Sequence, residues 1–182
     1  MNKYLKIIIL GFLIIFCFLV YRHYSKNTNE YDLKESETLK DKIIWNNKTK
    51  LKWTDFKYDP NEKSFTIYTK VGLSIRYNIY KPILFRSHTT FSITESIVSD
   101  TTKIDDLRIA QAKFDLLETY RRKMEMKVDS LRKLQNPNLK KSYFDEMNEF
   151  YYDKFESEWE SYRPITFKSL KTVEETIKNR LK

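Results

Sequence analysis

Residues 102–134 read TKIDDLRIAQAKFDLLETYRRKMEMKVDSLRKL. Leu107, Ala110, Phe114, Leu117, Met124, Val128 and Leu131 recur at steps of three and four, with Arg121 as the one interruption. That period predicts a long amphipathic helix, ended by Asn136-Pro137-Asn138. A second helix carries Met147, Tyr151, Phe155 and Trp159 at steps of four and stops before Pro164; a short third shows Leu170, Val173, Ile177 and Leu181. Upstream the period is two. Val71, Leu73, Ile75, Tyr77 and Ile79 share one face, as in a half-buried antiparallel strand. Shorter β-rich runs are Ile43–Trp45, Leu51–Trp53, Phe65–Thr69, Ile83–Phe85 and Phe91–Val98. Strands followed by helices predict an α+β domain over 43–182: a small antiparallel sheet, then the long helix and two further helices packed on one side of it.

Composition narrows the function. The chain has 41% hydrophobic residues, 13 Tyr and 12 Phe, enough apolar area for a core in a chain of 182 residues. Only 2 Gly and 4 Pro argue against Gly-rich phosphate cradles and turn-dense all-β folds. One Cys excludes an internal disulfide, and 2 His leave little imidazole for metals. No cofactor is implied.

Ile7 to Tyr21 is an unbroken apolar run, flanked by Lys3 and Lys6 before it and by Arg22, His23 and Lys26 after it. As a helix, residues 4–21 would span roughly 27 Å, close to a ~30 Å hydrocarbon core. We therefore read 1–24 as a signal-anchor-like transmembrane helix inserted in the lipid bilayer. No small residue marks a cleavage site, and Phe16 before Cys17 does not suit a lipid-attachment signal. Residues 25–42, nearly free of apolar side chains, read as a polar tether. The amino end is expected inside and the rest extracytoplasmic, so the protein would be a single-pass cell-membrane protein. Without residues 1–21, which hold two Lys and no acid, the net charge of +9 becomes +7.

The segment Leu107–Lys123 resembles the long helix of a bacterial family described as predicted secreted zinc-dependent proteases, which reads LLxHEQxHFDIAExYARKL around an HExxH motif. Leu107, Gln111, Phe114, Asp115, Glu118, Tyr120, Arg122 and Lys123 match. Leu51–Phe56 is similar to the family's LxWxDF, Phe91–Val98 to its FxxxxSWV strand, and Tyr162–Ser169 keeps Tyr162 and Thr166 of a YDxETxHG element. The resemblance implies a zincin-like half over 43–182. It also places Ile109 and Lys113 at the two His of HExxH, Ala110 at the Glu, and Lys168 at a later His that would be the third ligand. Two imidazoles at i, i+4 grip a zinc and the Glu takes a proton from its water. Ile and Ala offer no lone pair, and an ammonium repels a dication, so Ile109, Ala110, Lys113 and Lys168 read as an inert, degenerate site.

The expected function is therefore a membrane-anchored pseudoenzyme that binds an envelope protein or peptide without cutting it. A second reading is a structural or adaptor module of the cell envelope that holds anionic lipid or glycan through Arg121, Arg122, Lys123, Lys127, Arg132, Lys133, Lys140 and Lys141. No nucleic-acid motif accompanies these residues. A solvated, dipole-compensating helix end is the plainer account of the cluster. A third, weaker reading makes enzyme chemistry of the carboxylates Asp105, Asp106, Asp115 and Glu118, although helix-dipole and salt-bridge roles explain them. The aromatic stripe Phe144, Tyr151, Phe155, Trp159 and Tyr162 reads as core, as do Trp45 and Trp53.

Overall fold

The computed structural model describes the backbone of residues 3–135, 137–162 and 167–182, and the side chains of residues 11–22, 32–135, 137–162 and 169–182. The chain divides into two units, Met1–Lys40 and Asp41–Lys182. The first is one helix, α1 (Lys3–Leu39). It is helical through all but the end of the stretch read as a tether, because no Gly or Pro stands between Phe12 and Asp59 to interrupt it. Among the described residues no helix is long and apolar enough to cross a membrane; the span expected over 4–21 lies partly outside them.

The second unit is α+β. Its main sheet is antiparallel, in the order β1 (Lys42–Ile44), β5 (Phe85–Ser92), β4 (Val71–Tyr77), with Val71 opposite Phe91 and Tyr77 opposite Phe85. The Lys81–Pro82 peptide in the β4–β5 hairpin is cis. A second, mixed sheet sets β6 (Ile97–Val98) between β2 (Lys57–Tyr58), to which it is parallel, and the antiparallel β3 (Ile67–Tyr68). Then come α2 (Ile104–Arg132), α3 (Tyr143–Ser161) and α4 (Phe167–Arg180). α2 is the spine, packing against β4, β5, α3 and α4.

Of the expected strand Ile83–Phe85 only Phe85 is extended, as the first residue of β5, which runs on through 86–90, and two other expected strands are rearranged for visible reasons. Leu51–Trp53 forms no strand, because Leu51 N–H donates to the Gln111 side chain (2.8 Å) and Lys52 N–H to Asp55 Oδ2 (2.7 Å), which turns Trp53–Asp55 into a 3₁₀ segment. Phe91–Val98 is broken by a turn at residues 93–95, closed by Ser96 N–H on Ser92 O (3.1 Å). Ser96 is fully buried there: its Oγ accepts from Lys70 N–H (3.0 Å) and its carbonyl from Lys57 N–H (2.9 Å), joining the two sheets.

The core follows the helical period closely. Ala110, Phe114, Leu117, Met124, Val128 and Leu131 of α2 are buried. Phe114 meets Phe91 of β5 at 6.1 Å between centroids, and Phe56 meets Phe91 edge-on at 5.0 Å. The α3 aromatics Phe144, Phe155 and Trp159 are buried, with Tyr151 and Tyr162 half-buried beside them. Removing a fully buried ring leaves a cavity the neighbours fill only in part. Phe114→Ala should therefore cost about 3–5 kcal/mol, read as a shifted urea midpoint of the full chain. A loss below about 1 kcal/mol would mean that α2 does not seat on the sheet as described.

Candidate functional site

Arg108, Gln111, Asp115, Glu118 and Arg122 fall at steps of three and four, so at ~100° per residue they form one polar stripe along α2. The stripe lies against β1 and the carboxyl end of α4. Trp45 Nε1–H donates to Asp115 Oδ1 (2.7 Å), and Gln111 Nε2–H donates to the same oxygen (2.8 Å). Arg108 grips Glu174 of α4 with two hydrogen bonds (3.0 and 2.7 Å) and Asp105 with a third (2.8 Å). Such two-pronged guanidinium–carboxylate contacts fix orientation as well as charge.

Deeper along the stripe is Glu118, 1% exposed. It accepts from Thr89 Oγ1 of β5 (2.9 Å), from Arg121 through Nε and Nη2 (2.7 and 2.8 Å) and from Arg122 Nε (3.0 Å). Burial pushes its carboxyl up, but Arg121, Arg122 and Thr89 together hold it below the ordinary carboxylate range. Arg122 continues outward, donating to Leu181 O (2.6 Å) and stacking over the Trp45 ring at 5.2 Å. A second carboxylate, Glu158 of α3, binds Tyr120, Tyr162 (2.5 Å) and Arg180 (2.8 Å). Burial opposes its charge, yet Arg180 and the two phenols bring it down to about 2, while both phenols rise to about 12.

Beside the outer part of the stripe opens a cleft of about 460 Å³, lined by Trp45, Asn46, Asn47, Thr49 and Lys50 on one side and by Ile177, Lys178 and Leu181 on another, with Arg108, Gln111 and Asp115 on α2. Four basic side chains, Lys50, Arg108, Lys178 and Lys182, line it against two carboxylates, Asp115 and Glu174. Burial raises the Asp115 carboxyl above its usual range, against the opposing pull of Trp45, Gln111 and Lys50.

The positions that the resemblance sets against HExxH are elsewhere on the helix. Ile109 and Lys113 lie roughly 160° around from Gln111. Ala110 is 1% exposed in the core, Ile109 packs against the same cluster, and Lys113 faces α3, with Nζ 3.8 Å from Glu156 and 5.9 Å from the Phe155 and Trp159 ring centres. None of the three lines the cleft. The side chain of Lys168 lies outside the described residues, as does that of His23. His88 sits half-buried on β5. Among the described residues no group of three His, Cys, Asp or Glu side chains could hold a metal ion.

The basic cluster is divided in use. Arg121 and Arg122 serve Glu118, and Arg132 pairs with Asp129 (2.7 Å) while donating to the carbonyls of Ile83 and Phe85. Lys123 caps the Tyr120 ring at 4.3 Å and Lys140 pairs with Glu146 (2.5 Å). Lys127, Lys133 and Lys141 are exposed. Of the acids at the start of α2, Asp105 pairs with Arg108 and Asp106 accepts from Thr66 Oγ1 (2.5 Å). The cleft itself had a sequence signal: Arg108, Gln111 and Asp115 at helical spacing on one flank of an amphipathic helix, with a Trp upstream to meet them.

Compared with protein-family models, curated proteins and solved structures, the chain matches none.

Glu118 and Glu158 give a signed pH dependence. Their folded carboxyls are depressed, so the stability they contribute is complete above the ordinary glutamate value of 4.5 and is lost as pH falls below it, for Glu158 toward about 2. Urea midpoints of the full chain should fall across that window, and Glu158→Gln should flatten much of the fall. A midpoint unchanged between pH 5 and about 2.5 would contradict both assignments.

Proposed function

We propose that the unit 41–182 is a binding module that shares its ancestry with zinc-dependent proteases, cleaves nothing, and takes an acidic peptide segment of another envelope protein in the Trp45–Asp115 cleft. The apolar run over 4–21 holds it at a cell membrane with this unit on the outer side. The reading rests on one observation: the positions that would carry a zinc and its water hold a half-buried isoleucine, a core alanine and a lysine paired with Glu156. A dication has no donor there.

Binding is supported by the cleft. Trp45 supplies a flat apolar wall, Asn46 and Asn47 supply amides, and the excess of basic over acidic side chains favours an anionic segment. Asp115 works against such a ligand when ionised, which limits affinity and makes it rise as Asp115 takes up a proton. Elsewhere the polar stripe serves the fold rather than a reaction, since Glu118, the carboxylate nearest Asp115 along it, is held by three partners.

Titrating the full chain with acidic decapeptides should give salt-sensitive binding without cleavage. Lys50→Glu with Lys178→Glu should weaken it at least tenfold, whereas Asp115→Asn, which keeps the acceptor for Trp45 and Gln111, should tighten it about fivefold by removing a like charge. Stoichiometric zinc together with peptide cleavage by the purified chain would overturn the proposal.

A further inference from the structure

The hairpin joining β4 to β5 carries a second surface, remote in sequence from the cleft. Asn78 staples its tip: its N–H donates to Leu84 O (2.9 Å), its Nδ2 to Pro82 O (3.3 Å), and its Oδ1 accepts from Leu84 N–H (3.1 Å). The end of α2 is tied to the same tip. Arg132 donates to Ile83 O (3.3 Å) and Phe85 O (3.2 Å), and Lys81 Nζ donates to Gln135 O. These bonds turn Ile83 into the core, 6% exposed, while Tyr80, Leu84 and Leu134 stand 74%, 57% and 51% exposed.

A single exposed leucine means nothing, but a stapled tip that keeps a Tyr and two Leu in water exposes apolar surface that burial would stabilise by about 25 cal/mol per Å². The occupant is indicated by charge. Lys127 and Lys133 at the same end of α2, and Lys141 two residues before α3, are exposed, and no acid pairs with them among the described residues. Exposed amphipathic and apolar side chains at a tip tied to a lysine-bearing helix end match the boundary of an anionic bilayer, where rings and aliphatic chains enter the headgroup layer and ammoniums meet phosphates.

We propose that the β4–β5 tip and the end of α2 dock the folded unit on an anionic lipid surface, with Tyr80, Leu84 and Leu134 entering the headgroup layer and Lys127, Lys133 and Lys141 holding lipid phosphates. This contact uses none of the residues that line the cleft.

The test uses the full chain in lipid nanodiscs, with its Cys17 changed to Ser and an environment-sensitive fluorophore on Leu84→Cys. Tyr58→Cys, on β2 and 60% exposed, is the control position. In discs containing phosphatidylserine the label at 84 should shift to the blue and be quenched by a lipid-borne quencher. About 1 M salt, with its screening length of ~3 Å, should reverse this, as should the triple change Lys127→Glu, Lys133→Glu, Lys141→Glu. A label on Tyr80→Cys should repeat the result, which guards against a probe that distorts the tip. Behaviour at 84 and 80 indistinguishable from that at 58 would overturn the proposal. So would equal quenching in neutral phosphatidylcholine discs, or a response found only with a soluble protein partner.

Discussion

A carboxylate held almost wholly out of water is the constraint on which the folded unit depends. Glu118 stays ionised because Arg121 and Arg122 bracket it and Thr89 reaches it from the main sheet. Leaving Glu118 buried and charged without its partners costs about 3–5 kcal/mol, a large share of a domain's stability. The same cluster fixes the register of α2 on β5. Through Arg122 it also reaches the Trp45 ring and the carbonyl of Leu181, so the end of α4 and the start of the sheet are held by one guanidinium. Glu158 does comparable work among α2, α3 and α4.

α2 can hold the core and line the cleft together because its faces are separate. Ala110, Phe114 and Leu117 pack inward, Lys113 turns to α3, and Arg108, Gln111 and Asp115 line a cleft. The cleft is shaped by groups already committed to one another: the Arg108–Glu174 pair and the Trp45–Asp115–Gln111 triad. Such a site is preorganised, which lowers the ordering cost of binding a short segment.

Much of this architecture was legible in the chain. The apolar period of α2 marked six buried positions of its core face but not Ala112, Leu116 or Tyr120, and the alternation marked β4, which ends at Tyr77 short of Ile79, because burial of one face imposes a period that propensity alone does not. Leu51–Trp53 and Phe91–Val98 read as strands because their residues are strand formers. Side chains distant in sequence decided otherwise, Gln111 taking the N–H of Leu51 and Ser96 tying Lys70 and Lys57. Asp115 and Glu118 were legible as salt-bridge partners only in part. Glu118 is one, whereas Asp115 is held by neutral donors, a distinction that depends on Trp45, 70 residues away. The basic cluster failed to divide in sequence because an Arg facing Glu118 and a Lys facing solvent look alike until the helix is docked.

The account stands most directly on the coupling between Glu118 and Arg122. A double-mutant cycle of Glu118→Gln and Arg122→Met, read from urea unfolding of the full chain, should give an interaction energy of about 1–3 kcal/mol. Additive effects within about 0.3 kcal/mol would mean that the buried carboxylate does not hold the unit together.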